Sequence, residues 1–309
     1  MAEVPKYFAG LTEEQLTAFK DLKSAVPAVI NKVAYSEIYG QDLAVESEST
    51  DVIILKYLVA NTYDVPAARA QLLESLKWRK EFKPLSAAFE ETHDPKFDGL
   101  GYITEDTAKP DGPIITWNLY GQAAAKPEIV FGDVDAFLRW RVGVMERGIQ
   151  LLDFTSSRTT IDQVHDYSNV SFLRMDPNAR KASKAAVAVF QSHYPEMLGK
   201  KYFVNVPLIM GWMFSAMKLL VSRETMAKFV VLSYGSGLSE YTGDWVPKVY
   251  GGKGAALKEM EISPSAPAIL EKIETTPTAV PAEQQSAELT EPSEPAEKVA
   301  SSEQTKAEV

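Results

Sequence analysis

His165 and Tyr167 stand two apart in the stretch VHDYS, so in a strand both side chains leave the same face. An imidazole near a phenol is ordinary structural chemistry. It is also a ferric-iron arrangement, because a chain that holds a haem without cysteine must use His, Met or Tyr. The 309 residues contain no cysteine, which removes disulfides, zinc–thiolate sites, iron–sulfur clusters and thiol nucleophiles together. Two cations stand where apolar residues belong. Phe137, Arg141, Val144, Met145 and Gly148 share one face of a helix that starts at Asp133, so Arg141 interrupts an apolar stripe, whereas Arg139 falls with Asp135 and Glu146. An inward guanidinium needs an anion, and two readings stand: an internal Asp or Glu, or the carboxylate or phosphate of a ligand. Lys201 repeats the theme in KYFVNVP, where it alternates with Phe203 and Asn205. It either snorkels from a strand end or supplies a second inward charge to a sheet buried on both faces.

Other chemistries are missing from the sequence. No G-x-G-x-x-G follows a strand, and there is no Walker lysine loop, H-E-x-x-H or G-x-S-x-G elbow. The three histidines, His93, His165 and His193, have no metal-pair spacing. A nucleotide-using enzyme on a doubly wound sheet would rest on fold analogy alone, so the chain reads as a non-enzyme.

The elements that must hold these residues follow from periodicity. Residues 1–95 read as a helical lobe. Thr12 and Gln15 have capping-box spacing, Leu16, Phe19 and Leu22 recur at helical intervals, and a second helical run breaks near Asn61 and restarts at Pro66. A loop rich in Asp, Pro and Gly leads into residues 96–260. There GPIITWNLYG, TIDQVHDYS, KYFVNVP and AKFVVLS read as strands, alternating with helices from Asp133 and Asp176. Such alternation predicts an α/β domain with a mixed or parallel sheet. Val206 to Val221 carries a single charge, Lys218. It is too short to span a bilayer, and reads either as a core helix or as a helix that closes a cavity and touches a membrane interface.

The net charge of −10 is unevenly placed: Glu261 to Val309 holds ten Glu and three Lys, leaving the body near neutral at −3. A neutral body with no basic stripe is a poor nucleic-acid binder. The segment 261–309 has six prolines and no aromatic residue, and reads as a disordered acidic tail. The start, MAEVPKYFAGLTEEQL, lacks the basic and apolar regions of a signal peptide, which predicts a cytoplasmic protein.

LKYLVANTYDVPAARAQLLESLKWRKEF, HYPEMLGKKYFVNVP and VYGGKG resemble the helical lobe, the tyrosine-proline-glutamate stretch and the closing glycine motif of the CRAL-TRIO lipid-binding family of yeast-type phosphatidylinositol transfer proteins. The resemblance covers about residues 50–254 and implies an apolar cavity floored by the sheet and closed by a mobile helix, here 206–221. It also implies a phosphatidylinositol-reading set at Glu196, Thr225 and Lys228, and peripheral association with endoplasmic reticulum or microsomal membranes. Lys201, His165 and Tyr167 depart from the common cavity lining and resemble a fungal non-classical branch that also binds haem b, with a role in oxidant stress response. On that resemblance Tyr167 is the axial iron ligand, His165 its partner, Arg141 and Lys201 the cations for the propionates, and Tyr120 part of the pocket wall. The alternative is a dedicated haem or redox protein without lipid transfer. The oligomeric state is not legible.

Overall fold

Capping chemistry sets the helix starts in the computed structural model, which describes residues 6–109, 111–170, 176–207 and 223–275. Helix α1 (Glu13–Val33) opens on a complete Thr12/Gln15 capping box. α2 (Glu48–Ala60) opens on Ser47 and α3 (Val65–Phe82) on Asp64, each cap accepting a bond from the third helical N–H. Between α1 and α2 lies a two-residue antiparallel pair, β1 (Glu37–Ile38) and β2 (Gln41–Asp42), in a region that the sequence reads as wholly helical. The short α4 (Pro84–Phe89) completes the lobe.

The main sheet holds β3 (Gly101–Glu105), β4 (Ile114–Leu119), β5 (Ile161–Asp166), β6 (Leu198–Val204) and β7 (Phe229–Val231), side by side in that order. β3 is antiparallel to β4, and every later neighbour pair is parallel. The connection from β4 to β5 runs through the short helices α5 (Tyr120–Ala123) and α6 (Pro127–Phe131) and then α7 (Val134–Ile149). α8 (Pro177–His193), capped by Asp176, links β5 to β6. β3 corrects the expected loop: GYITE is a five-residue edge strand whose Ile103 and Thr104 are buried.

Strand parity sorts the sheet's two faces. Ile115, Trp117, Leu119, Val164, Tyr202 and Val204 pack with Leu238, Val246, Tyr250 and Leu257 into a closed apolar core. The opposite face starts apolar at Ile103, Ile114 and Ile161, beneath α7. A second core joins α1, α2 and α3 to Val142, Met145 and Ile149 of α7 and to Ile161. The lobe and the sheet region thus share packed interior.

Two expectations change. The tail boundary at 261 is too early, because Ile262 N–H bonds the carbonyl of Ile103, and Ile269 and Leu270 of the short helix Ile269–Thr275 are buried with Leu85. The rest of the expected tail, and all of the expected closing helix beyond Val206 and Pro207, lie outside the described residues. Glu146 does not share an outer face with Arg139, for its carboxylate is fully buried.

That burial is explained by a charge cluster linking the lobe to α7. Arg79 Nε and Nη2 donate to Glu37 at 3.0 and 2.8 Å, and Nη1 and Nη2 donate to Glu146 at 2.6 and 3.1 Å. Tyr35 OH donates to Glu37 and Tyr194 OH to Glu146, at 2.8 and 2.6 Å. Burial opposes the guanidinium charge, but the carboxylates of Glu146 and Glu37 outweigh it and hold Arg79 protonated.

Candidate functional site

The face of the sheet beneath α7 changes character toward the carboxyl ends of the strands. Register places Asn118 beside His165 and His165 beside Phe203. One step back, Gln163 lies beside Lys201 and Lys201 beside Phe229. A polar row therefore lies over a parallel sheet, at the end where such sheets receive ligands. Tyr120 and Tyr167 follow directly after β4 and β5 and fold over the same end. Their ring centroids are 5.7 Å apart, and Tyr120 meets His165 edge-on at 5.1 Å. Tyr167 stacks on Phe203 at 6.3 Å. Gly121 makes the approach possible, since a Cβ there would collide with the Ser168 carbonyl.

A carboxylate hub fixes the end of β5. Asp166, between His165 and Tyr167, accepts bonds from Ser168 N–H and Oγ at 2.8 and 2.7 Å, from Asn205 Nδ2 at 2.8 Å and from Tyr250 OH at 2.7 Å. Asn205 has left-handed backbone, φ +59°, and its Oδ1 accepts from Gly235 N–H. It therefore serves the hub and does not extend the Lys201–Phe203 row, as alternation would have it.

Arg141 points inward, as its helical position predicts, and is 2% exposed. Its Nη1 has no hydrogen-bond partner. The guanidinium lies 4.8 Å from the centre of the Phe190 ring, and no Asp or Glu forms an ion pair with it among the described residues. Of the two readings of an inward arginine, the internal ion pair is absent there. Arg139 instead pairs with Glu91 and the Phe82 carbonyl. His165 Nε2 and Asn118 Oδ1 are also buried without partners. Lys201 lies deep yet keeps some accessible surface. Its ammonium position is 5.6 Å from the Phe203 ring centre and 6.0 Å from that of Phe229.

The electrostatics follow from this enclosure. Burial, then Lys201 and Arg141, hold His165 far below the usual histidine range. Burial, then Arg141, lowers Lys201 to about 7. Burial, then Tyr120, pushes the Tyr167 phenol up, which keeps it protonated. The face thus offers a guanidinium, an amine that titrates near neutral pH, a neutral imidazole and a phenol.

A second constellation lies at the other end of β6. Lys228 Nζ donates to the Glu196 carboxylate at 3.0 Å, and Thr225 sits three residues before it in the short helix Arg223–Ala227. Lys228 is tied to β6 through its carbonyl, which accepts from Lys201 N–H. Glu196 has left-handed backbone, φ +51°, and its carbonyl accepts from Lys56 Nζ at 2.7 Å. Burial lowers Lys56 to about 8. Lys56 and Glu196 line a cleft of about 570 Å³ whose rim includes Asp111 and the hydroxyls of Thr155, Ser156, Ser157, Thr159 and Thr160. Sequence reasoning missed Lys56, although a lone lysine inside IILKYL was the available signal. It missed Asn118, Gln163 and the Asp166 hub as well.

Three comparisons bear on this arrangement. The CRAL/TRIO domain matches residues 101–252. Phosphatidylinositol transfer protein SFH5 of Kluyveromyces lactis is 43% identical over 249 residues, spanning 78% of this chain and 83% of that protein. The SFH5 protein of Phaeosphaeria nodorum is 42% identical, over 80% of this chain and 79% of its own length. The crystal structure of Sfh5 superposes with a TM-score of 0.79 at 37% identity, covering 85% of this chain and 98% of the other. This chain belongs to the CRAL/TRIO domain family, on the branch of the fungal SFH5 proteins.

Proposed function

We propose that the chain binds phosphatidylinositol and transfers it between membranes, and that it also holds haem b against the polar face of the sheet. The observation that carries the lipid reading is the Glu196–Lys228 pair beside the hydroxyl-rimmed cleft, in a chain whose relatives are named as phosphatidylinositol transfer proteins. Lys228 takes the lipid phosphate as a point charge, Thr225 donates to it, and Glu196 accepts from the polyol of the head group. The chain acts as a carrier, not an enzyme, and works from the cytoplasm in peripheral contact with endoplasmic reticulum or microsomal membranes. Among the described residues no helix is long and apolar enough to cross a membrane. In a vesicle-to-vesicle transfer assay, Lys228→Ala is expected to abolish phosphatidylinositol transfer while the protein still melts cooperatively. Unchanged transfer would refute the lipid assignment.

What supports the haem reading is the set of orphaned polar atoms, Arg141 Nη1 and His165 Nε2, beside the Tyr167 phenol. Two acyl chains would leave these groups unsatisfied, whereas a planar, dianionic macrocycle suits them. Tyr167 would be the iron ligand, its phenol giving up the proton that burial otherwise retains. Arg141 and Lys201 would meet the propionates, His165 would stay neutral beside the phenolate, and Tyr120 would close the wall. Bound haem would supply redox-active ferric iron, consistent with an oxidant-response role. The same orphaned atoms favour, as a second reading, a dedicated haem protein with no lipid transfer. An absorption spectrum after haemin addition should show a Soret band that shifts or disappears in Tyr167→Phe; no band in the wild type would remove haem from the account.

A further inference from the structure

Lys201 sits in the middle of β6, between Gln163 and Phe229 in register, and its neighbours are unlike those of the other enclosed lysines. Lys56 donates to a carbonyl at 2.7 Å and Lys228 to a carboxylate at 3.0 Å. Lys201 has no carboxylate at ion-pair distance among the described residues, and its amine faces the rings of Phe203 and Phe229. The guanidinium charge of Arg141, whose own Nη1 is unpartnered, acts on it. Apolar walls and a neighbouring cation are the surroundings that keep a lysine amine in its nucleophilic form. The depressed value of about 7 accords with that.

We propose that Lys201 is a reactive amine that captures amphipathic aldehydes bearing a carboxylate, as an imine, with Arg141 pairing the acid end. The nitrogen lone pair attacks the aldehyde carbon, and the carbonyl π pair moves to oxygen. A proton passes through water from nitrogen to that oxygen, giving a carbinolamine. Loss of water then forms the C=N bond. Amine and aldehyde give imine and water, and no oxidant or reductant is needed. The chemistry is a stoichiometric capture, and the Phe203 and Phe229 rings beside the amine offer an apolar surface to an alkyl chain.

The test uses the full-length, haem-free chain, 9-oxononanoic acid as probe, cyanoborohydride to trap the imine, and peptide mapping by mass spectrometry. Lys201 is expected to carry the adduct before any other lysine, and Lys201→Arg should lose it. Arg141→Met should slow labelling by the oxo-acid more than labelling by nonanal, which has no acid and feels only the loss of the neighbouring charge. Adducts confined to exposed lysines such as Lys200 and Lys253 in the wild type would overturn the inference even if the variants fail to fold. Equal sensitivity of both probes to Arg141→Met would overturn the acid-pairing part. Haemin added first should protect Lys201 if haem shares the cavity, whereas labelling without haemin tests aldehyde capture on its own.

Discussion

Arg79 and Arg141 are both buried, at 0% and 2% exposure, and their surroundings are opposite. Arg79 is clasped by two carboxylates, each itself bonded by a tyrosine. Arg141 faces a ring on one side and leaves Nη1 without a partner. A buried charge is tolerated when its partners are internal, and is costly when they are not. The first arginine is therefore part of the fold, joining the lobe to α7. The second is a buried charge with no carboxylate partner among the described residues, the position that the proposed ligand anion would fill. The comparison extends to carboxylates: Asp166 accepts four bonds at the end of β5, while no carboxylate answers Arg141 or Lys201 among the described residues.

The largest effect should come from breaking the satisfied cluster. Arg79→Met leaves the Glu37 and Glu146 carboxylates buried against each other without a cation, and is expected to cost about 3–5 kcal/mol in urea unfolding. A loss near zero would show that water or protonation rescues the pair.

Lys201 should behave in the reverse sense. Its folded value of about 7 lies below the ordinary 10.5, so between those pH values the unfolded chain binds a proton that the folded chain lacks, and stability rises with pH. Lys201→Met removes this dependence. It should stabilise the ligand-free protein by about 1–3 kcal/mol near pH 6, in the range seen when buried charges are replaced by apolar groups, with the gain fading toward pH 10. A gain independent of pH would mean that the amine is not the origin of the cost.

The smallest effect is expected at the hub. Tyr250→Phe removes one of four bonds to Asp166 and should cost about 1–2 kcal/mol, with His165 and Tyr167 still held by Ser168 and Asn205. A much larger loss would make Tyr250 the main anchor of the site.

How much of this was legible in the sequence depends on whether a residue's role is local. The caps at Thr12, Asp133 and Asp176 were readable because a cap needs only its own first turn. The strand carrying His165 and the inward direction of Arg141 followed from period 2 and period 3.6. GYITE also carried a strand signal, but five residues beside a Gly- and Asp-rich turn read as loop. Arg79 was hidden for a different reason: in LKWRKEF it stands in a run of charges that looks like a solvated face, and its partners Glu37 and Glu146 lie 42 and 67 residues away. Helical phase put Glu146 with Arg139 because phase cannot tell water from a neighbouring helix that brings a cation. The pairing of Glu196 with Lys228 likewise exists only once β6 and β7 lie side by side.

The most direct test of the contrast is the melting of ligand-free Arg141→Met beside the wild type, each then repeated with haemin. The variant is expected to melt at or above the wild-type temperature without ligand, and to gain less from haemin than the wild type does. A variant that falls as far as Arg79→Met in the absence of ligand would contradict the contrast, placing Arg141 among the charges that hold the fold together.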